Sequence, residues 1–123
     1  MPKVRVVFYR EAGGSAPVLE WLDRLPSKAL DKCLVKIERL RDIGHELRRP
    51  EADFLRDGIY ELRVGLQGLS YRILYFFHGR IAAVLAHGLV KERVVPPEAI
   101  DEAIKRKQRF EQNPAVHTYQ EGE

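Results

Sequence analysis

The chain predicts an α+β domain, an antiparallel sheet packed against a helical hairpin, on three observations. Residues 57–91 hold three β-branched and aromatic runs separated by glycine turns. Residues 17–43 hold two amphipathic runs with only Pro26 and its neighbours between them. Residues 97–109 open on Pro97, are acidic early (Glu98, Asp101, Glu102) and basic late (Lys105, Arg106, Lys107, Arg109), as the helix dipole favours.

Val4 to Tyr9 reads as a first strand, broken by Gly13-Gly14-Ser15. Pro17 suits the first turn of a short helix in which Val18, Trp21, Leu22 and Leu25 share one face. Pro26 ends it, and Ser27 is expected to cap a longer helix with the stripe Leu30, Leu34, Ile37 and Leu40 and a stop at Gly44. Residues 45–56 are expected to be a polar connection. Strands follow at 59–64, 69–77 and 80–90, then the helix from Pro97, which Asn113-Pro114 ends. The order is β-α-α-β-β-β-α. It predicts one domain over residues 1–112 and a mobile tail over 113–123.

The three strands can be registered on paper. His78-Gly79, taken as a two-residue turn, pairs Phe77 with Arg80; Gly65 and Gly68 bracket a looser turn pairing Val64 with Leu69. Alternation then puts Tyr60, Leu62, Val64, Tyr71, Ile73, Tyr75, Phe77, Ala82, Val84, Ala86 and Val90 on one apolar face. The other face carries Leu74, Phe76, Ile81, Ala83 and Leu85 at one end and Glu61, Arg63, Arg72, His87 and Lys91 at the other. Three cations, a histidine and a carboxylate gathered there suit a phosphate. The aromatics Tyr60, Tyr71, Tyr75, Phe77 and Trp21 are expected in the core and not as base-stacking platforms.

Composition narrows the function classes. The 123 residues carry a formal charge of +3. The positive charge is concentrated at Lys36, Arg39, Arg41, Arg48 and Arg49 and again at 105–109, which favours a polyanion such as RNA. Cys33 stands alone, excluding an internal disulfide. His45, His78, His87 and His117 lack zinc spacing, so no metal is expected, and no phosphate loop, dinucleotide fingerprint or serine-hydrolase elbow occurs. No cofactor is expected. The start is charged and no run is long and apolar enough for a membrane, so the cytoplasm is the expected compartment.

Gly58-Ile59-Tyr60-Glu61-Leu62-Arg63, Tyr71-Arg72-Ile73-Leu74-Tyr75-Phe76 and His87-Gly88-Leu89-Val90-Lys91, followed by Pro97 and an acidic-then-basic helix, resemble the RelE/HigB superfamily of type II toxin–antitoxin toxins, in its phage-derived HigB-like branch. The Pro17-Val18, Trp21-Leu22 and Leu25-Pro26 pairs are also similar to that family, and the resemblance runs from about Val4 to Arg109. It implies a RelE-like, microbial-ribonuclease-type fold and a toxin that cleaves mRNA as a metal-independent endoribonuclease at the ribosome. It further implies silencing by a cognate antitoxin with a helix-turn-helix domain. By position, Arg63, Arg72 and Lys91 match the family's basic site residues; Glu92 stands where a second lysine is usual, and Arg93 follows.

In such a reaction the 2′-OH attacks the adjacent phosphorus, giving a 2′,3′-cyclic phosphate. Arg63 and Arg72 suit the phosphate oxygens, Lys91 the leaving-group side, and His87 acid or base work. Glu61 either activates the 2′-OH or orients Arg72. Arg93, Lys105, Arg106 and Arg109 are the expected further RNA contacts. Two other outcomes share the fold: a toxin that inhibits DNA gyrase by binding alone, and a decayed relative that only binds antitoxin or RNA.

Overall fold

The computed structural model describes residues 3–79, 82–91 and 94–119, and for Ala82 and Lys91 the backbone only. Its elements are β1 (Arg5–Phe8), α1 (Pro17–Asp23), α2 (Ser27–Ile43), a 3-10 turn (Gly44–Glu46), β2 (Ala52–Arg56), β3 (Ile59–Leu66), β4 (Leu69–His78), β5 (Ala82–Lys91), α3 (Pro97–Gln112) and α4 (Pro114–His117). The fold is α+β. The five strands form one sheet in the order β1-β5-β4-β3-β2. It is mixed and not wholly antiparallel, because β1 pairs with β5 in parallel.

Three elements depart from expectation. Residues 52–56 form an edge strand where a polar connection was expected. The signal was Asp57-Gly58, whose φ angles of 52° and 81° make the two-residue turn that returns the chain to Ile59. Residues 113–119 are docked and not a free tail. The Asn113 side chain accepts from the Val116 amide, Tyr9 bridges to Thr118, and His117 stacks on Tyr9 while its Nδ1 meets the Arg10 carbonyl at 2.7 Å. Pro26, in extended conformation, occupies the cap position of α2, so Ser27 is its first helical residue and caps nothing. Gly44 stops α2 as expected, with φ 64°.

The sheet separates two cores. On one side α1 and α2 pack Val18, Leu22, Ala29, Cys33, Ile37 and Leu40 against Leu62, Val64, Tyr71, Ile73, Tyr75, Ala83 and Leu85. The stripe of α2 is therefore rotated from the expected one: Leu34 is 45% exposed and Cys33 is fully buried, which pushes its thiol pKa up to about 11. On the other side α3 lays Ala99, Ile100, Ala103 and Phe110 over Ile59, Leu74, Phe76, Val84 and Ala86. Trp21, Tyr71 and Tyr75 belong to the first core as expected.

The registers explain which residues changed face. Leu66 pairs with Leu69 across Gln67-Gly68, both at positive φ, two residues further than expected; an even shift keeps every side chain on its face. The second hairpin pairs His78 with Ala82, so its connection has three residues and not two. That odd shift turns Ala83 and Leu85 toward the helical hairpin and Val84 and Ala86 toward α3, against expectation. Arg80 and Ile81, used in the expected pairing, lie outside the described residues. A bulge then intervenes, because Tyr75 pairs with Leu85 but Leu74 pairs with His87. The extra residue, Ala86, restores the parity, and His87 returns to the face where it was expected.

Candidate functional site

Where α3 no longer covers its face of the sheet, polar side chains converge. Asp53, Glu61, Leu74 and His87 form one row across β2, β3, β4 and β5; Arg63, Arg72 and Leu89 form the next, and Ser70 pairs with Lys91 beyond it. Glu61 is the hub. Its side chain is only 4% exposed, and Oε2 accepts from Arg63 Nε at 3.0 Å and Nη2 at 2.8 Å. Its other oxygen accepts from Arg72 Nη1. A buried carboxylate is tolerated when charge-assisted bonds replace its water, and here two guanidiniums do so.

The two arginines are not equivalent. Arg72 is 12% exposed and is further fixed by Nε donating to Ser70 Oγ at 2.7 Å. Arg63 is 34% exposed and also meets Asp53 Oδ2 at 3.2 Å, the oxygen that pairs with Arg49 at 3.0 Å. Asp53, Leu55, Glu61, Arg63, Arg72, Val94 and Val95 line a cleft of about 460 Å³. Arg63 thus presents a guanidinium to the cleft, held in place from behind by Glu61.

His87 is on the expected face but outside that described lining. Burial, and then the Arg106 guanidinium, push its pKa below the usual histidine value, with Glu102 opposing, so the ring is neutral at pH 7. Arg106 Nη1 lies 3.1 Å from His87 Nδ1. A guanidinium only donates, so Nδ1 accepts and Nε2 carries the proton. In this arrangement His87 is a donor and its basic nitrogen is taken.

Arg106, on α3, is only 12% exposed and faces the bulge of β5. It donates to the Ala86 carbonyl at 2.7 Å, which gives the bulge residue its partner, and it lies 3.2 Å from Glu102 and 3.5 Å from Glu11. Lys105 and Arg109 are exposed, Arg109 with Glu11 at 3.5 Å. Lys91 is paired through its backbone with Ser70, and Glu92 and Arg93 lie outside the described residues. Glu61, Arg63 and Arg72 are therefore the expected residues that the structure brings together at the cleft, while His87 and Arg106 meet each other outside its described lining. Asp53, Arg49 and Ser70 join the first three and were missed: Asp53 and Arg49 lie in the segment taken for a connection.

Among the described residues no group of His, Cys, Asp and Glu is arranged to hold a metal ion, and no helix is long and apolar enough to cross a membrane. None of the curated proteins compared with the chain matches it. The model of one protein family, described as phage-derived protein Gp49-like (DUF891), matches residues 20–108, which takes in α1 from Glu20, the whole polar cluster and most of α3. The chain belongs to the Gp49-like family of phage-derived proteins, a family related to RelE-type, toxin-like proteins.

Proposed function

We propose that this protein is the toxin of a type II toxin–antitoxin pair, of RelE fold and HigB-like branch, and that it cleaves mRNA on the ribosome in the cytoplasm without a metal ion. The observation that carries the reading is Arg63 standing in an open cleft with Glu61 buried behind it. A guanidinium whose position is set before substrate arrives stabilises charge that develops on a phosphorane, and such preorganisation is usually the largest catalytic contribution. The substrate's 2′-OH forms the new P–O bond, the P–O5′ bond breaks, one proton leaves the 2′-oxygen and one reaches the 5′-oxygen.

In this reading Arg63 holds the scissile phosphate. Arg72 and Glu61 are positioning residues: both oxygens of Glu61 are engaged, which favours orientation over base catalysis. Lys91 adds a cation from β5, and neutral His87 donates a hydrogen bond through Nε2–H while water exchanges the two protons. Exposed Lys105 and Arg109, with Arg93, contact the flanking RNA or ribosomal RNA by charge alone. The partner that silences the toxin is a helix-turn-helix antitoxin.

The test is induced expression of wild type and Arg63→Ala without antitoxin, with mapping of mRNA 5′ ends. Wild type is expected to arrest growth and create new internal 5′-hydroxyl ends; Arg63→Ala, whose side chain is partly exposed, is expected to fold and to cut at least about a hundredfold more slowly. Growth arrest with intact mRNA and altered plasmid supercoiling would assign the protein to gyrase inhibition. A folded Arg63→Ala that cuts at the wild-type rate removes Arg63 from the site.

A further inference from the structure

The opposite face of the sheet ends, past the last turn of α2, in rings that the helices leave partly open. Phe54, on the edge strand β2, is 52% exposed and packs edge-on against Tyr60, with centroids 5.2 Å apart at 71°. Tyr60 meets Phe77 in the same manner at 5.3 Å, and the exposed His45 ring stacks on Phe77 at 3.9 Å and 22°. The Phe54, Tyr60 and His45 rings open on a hollow of about 440 Å³ whose rim carries Arg48 and Arg49. Arg48 is steadied by donating to the His45 carbonyl at 2.6 Å.

Hollow and cleft adjoin through one residue. Asp53 lines both, and its Oδ2 receives Arg49 from the hollow and Arg63 from the cleft, at 3.0 and 3.2 Å. A chain lying against Arg63 therefore meets the hollow by crossing the β2 edge. An exposed ring beside two guanidiniums is the combination that single-stranded nucleic acid uses: stacking accepts any base, and the arginines accept the phosphates between bases.

We propose that this hollow is a subsite for one unpaired base of the RNA strand flanking the scissile phosphate, the base stacking on Phe54 and the adjoining phosphate pairing with Arg48 and Arg49. The proposal rests on the ribonuclease reading above and adds a position at which that strand is gripped. Phe54 sits on the strand that the sequence reading took for a connection. The ring platform is therefore made by tertiary pairing of β2 with β3 and is absent from any one segment.

The experiment uses the full-length protein and a short fluorescent oligoribonucleotide, methylated at every 2′-OH so that it cannot be cut, with one abasic residue moved along it. Fluorescence anisotropy reads the dissociation constant, and circular dichroism confirms that each variant is folded. Wild type is expected to lose about tenfold in affinity at one abasic position, the scale of a single stacked base. Phe54→Ala is expected to bind the intact oligonucleotide about tenfold more weakly and to be indifferent to the abasic residue at that position alone. Arg48→Ala/Arg49→Ala is expected to weaken binding and flatten its salt dependence. Unchanged affinity for Phe54→Ala, an unchanged abasic profile, or no binding by wild type overturns the subsite. Loss of antitoxin binding by Phe54→Ala with RNA binding intact gives the hollow to a protein partner and overturns it too. The two readings separate cleanly: the expected abasic profile without cleavage of mRNA on added ribosomes retains the subsite and rejects the ribonuclease, and cleavage there with equal half-saturation by wild type and Phe54→Ala does the reverse.

Discussion

The two faces of the sheet are built from the same strands and differ in what covers them. Under α1 and α2 the buried strand residues are apolar or aromatic throughout, from Leu62 and Val64 to Ile73, Tyr75 and Leu85. Under α3 the apolar set, Ile59, Leu74, Phe76, Val84 and Ala86, ends where Glu61, Arg63 and Arg72 begin. One helix covers less of a sheet than two, and the uncovered end must be polar or water would meet bare hydrocarbon. The cleft is thus a consequence of incomplete covering, made stable by placing a carboxylate between two guanidiniums. The apolar side supplies the rigidity that keeps those charges in place.

Adjacent residues of β4 test whether both layers are packed as cores. Ile73 and Leu74 are both fully buried and point to opposite layers. Truncation of either to alanine is expected to cost about 3–4 kcal/mol by chemical denaturation, from lost transfer free energy plus the cavity left behind. Equal costs would mean that both layers are packed as cores. A Leu74→Ala cost below about 1 kcal/mol would mean that α3 yields, and that only the helical-hairpin side is a core.

At the polar end of the second face the informative substitution is Glu61→Gln. The neutral amide leaves Arg72 buried beside a weaker acceptor, and breaking such a pair costs several kcal/mol when both partners are buried. Arg63 is a third exposed and water recovers part of its interaction, so about 2 kcal/mol is expected. The variant should also lose RNA cleavage while keeping the hydrogen-bonded shape of the cleft. Cleavage at the wild-type rate would show that Arg63 needs no anchor.

The two sides also lose a little stability over different pH ranges. Glu51, bonded to Lys36 and Arg39 of α2, has its carboxyl held at about 2, with the Arg39 bond the largest cause. Its folded value is below its unfolded one, so the stability it contributes is present above about pH 4.5 and is lost as pH falls toward 2. His87 also has a lowered value and so acts in the same sense, but nearer neutrality. Both states are neutral at pH 7, and as pH drops below the unfolded value of 6.5 the unfolded chain takes up the proton first, so stability falls. Thermal midpoints from pH 8 to 3 should show two declines, the first absent in His87→Gln and the second reduced in Glu51→Gln. A single decline untouched by His87→Gln would contradict the half-buried, Arg106-facing histidine.

Much of this was local and therefore legible in the chain. Pro17 at the start of α1, Gly44 at the end of α2 and the dipole-matched charges of α3 act over a few residues and were placed correctly. So was the gathering of Glu61, Arg63 and Arg72 on one face, because alternation along a strand survives an even slip in register. Residues 52–56 went unrecognised although Asp57-Gly58 marked their hairpin, since a short run with Asp53 and Arg56 carries little apolar signal.

Alternation, turn residues and helix ends were enough for the α+β class, the two consecutive helices on one side of the sheet and the sharing of one face by Glu61, Arg63 and Arg72. Tertiary structure alone decided the rest. It set the bulge at Ala86 that turns His87 back to the cleft side, the Arg106 bond that satisfies that bulge, and the partnership of Asp53 with both Arg49 and Arg63. It also set the aromatic hollow at the β2 edge. The physical reason is range. Side-chain direction follows from each residue's own backbone, whereas register, covering and ion-pair choice depend on which distant segment arrives and how completely it excludes water.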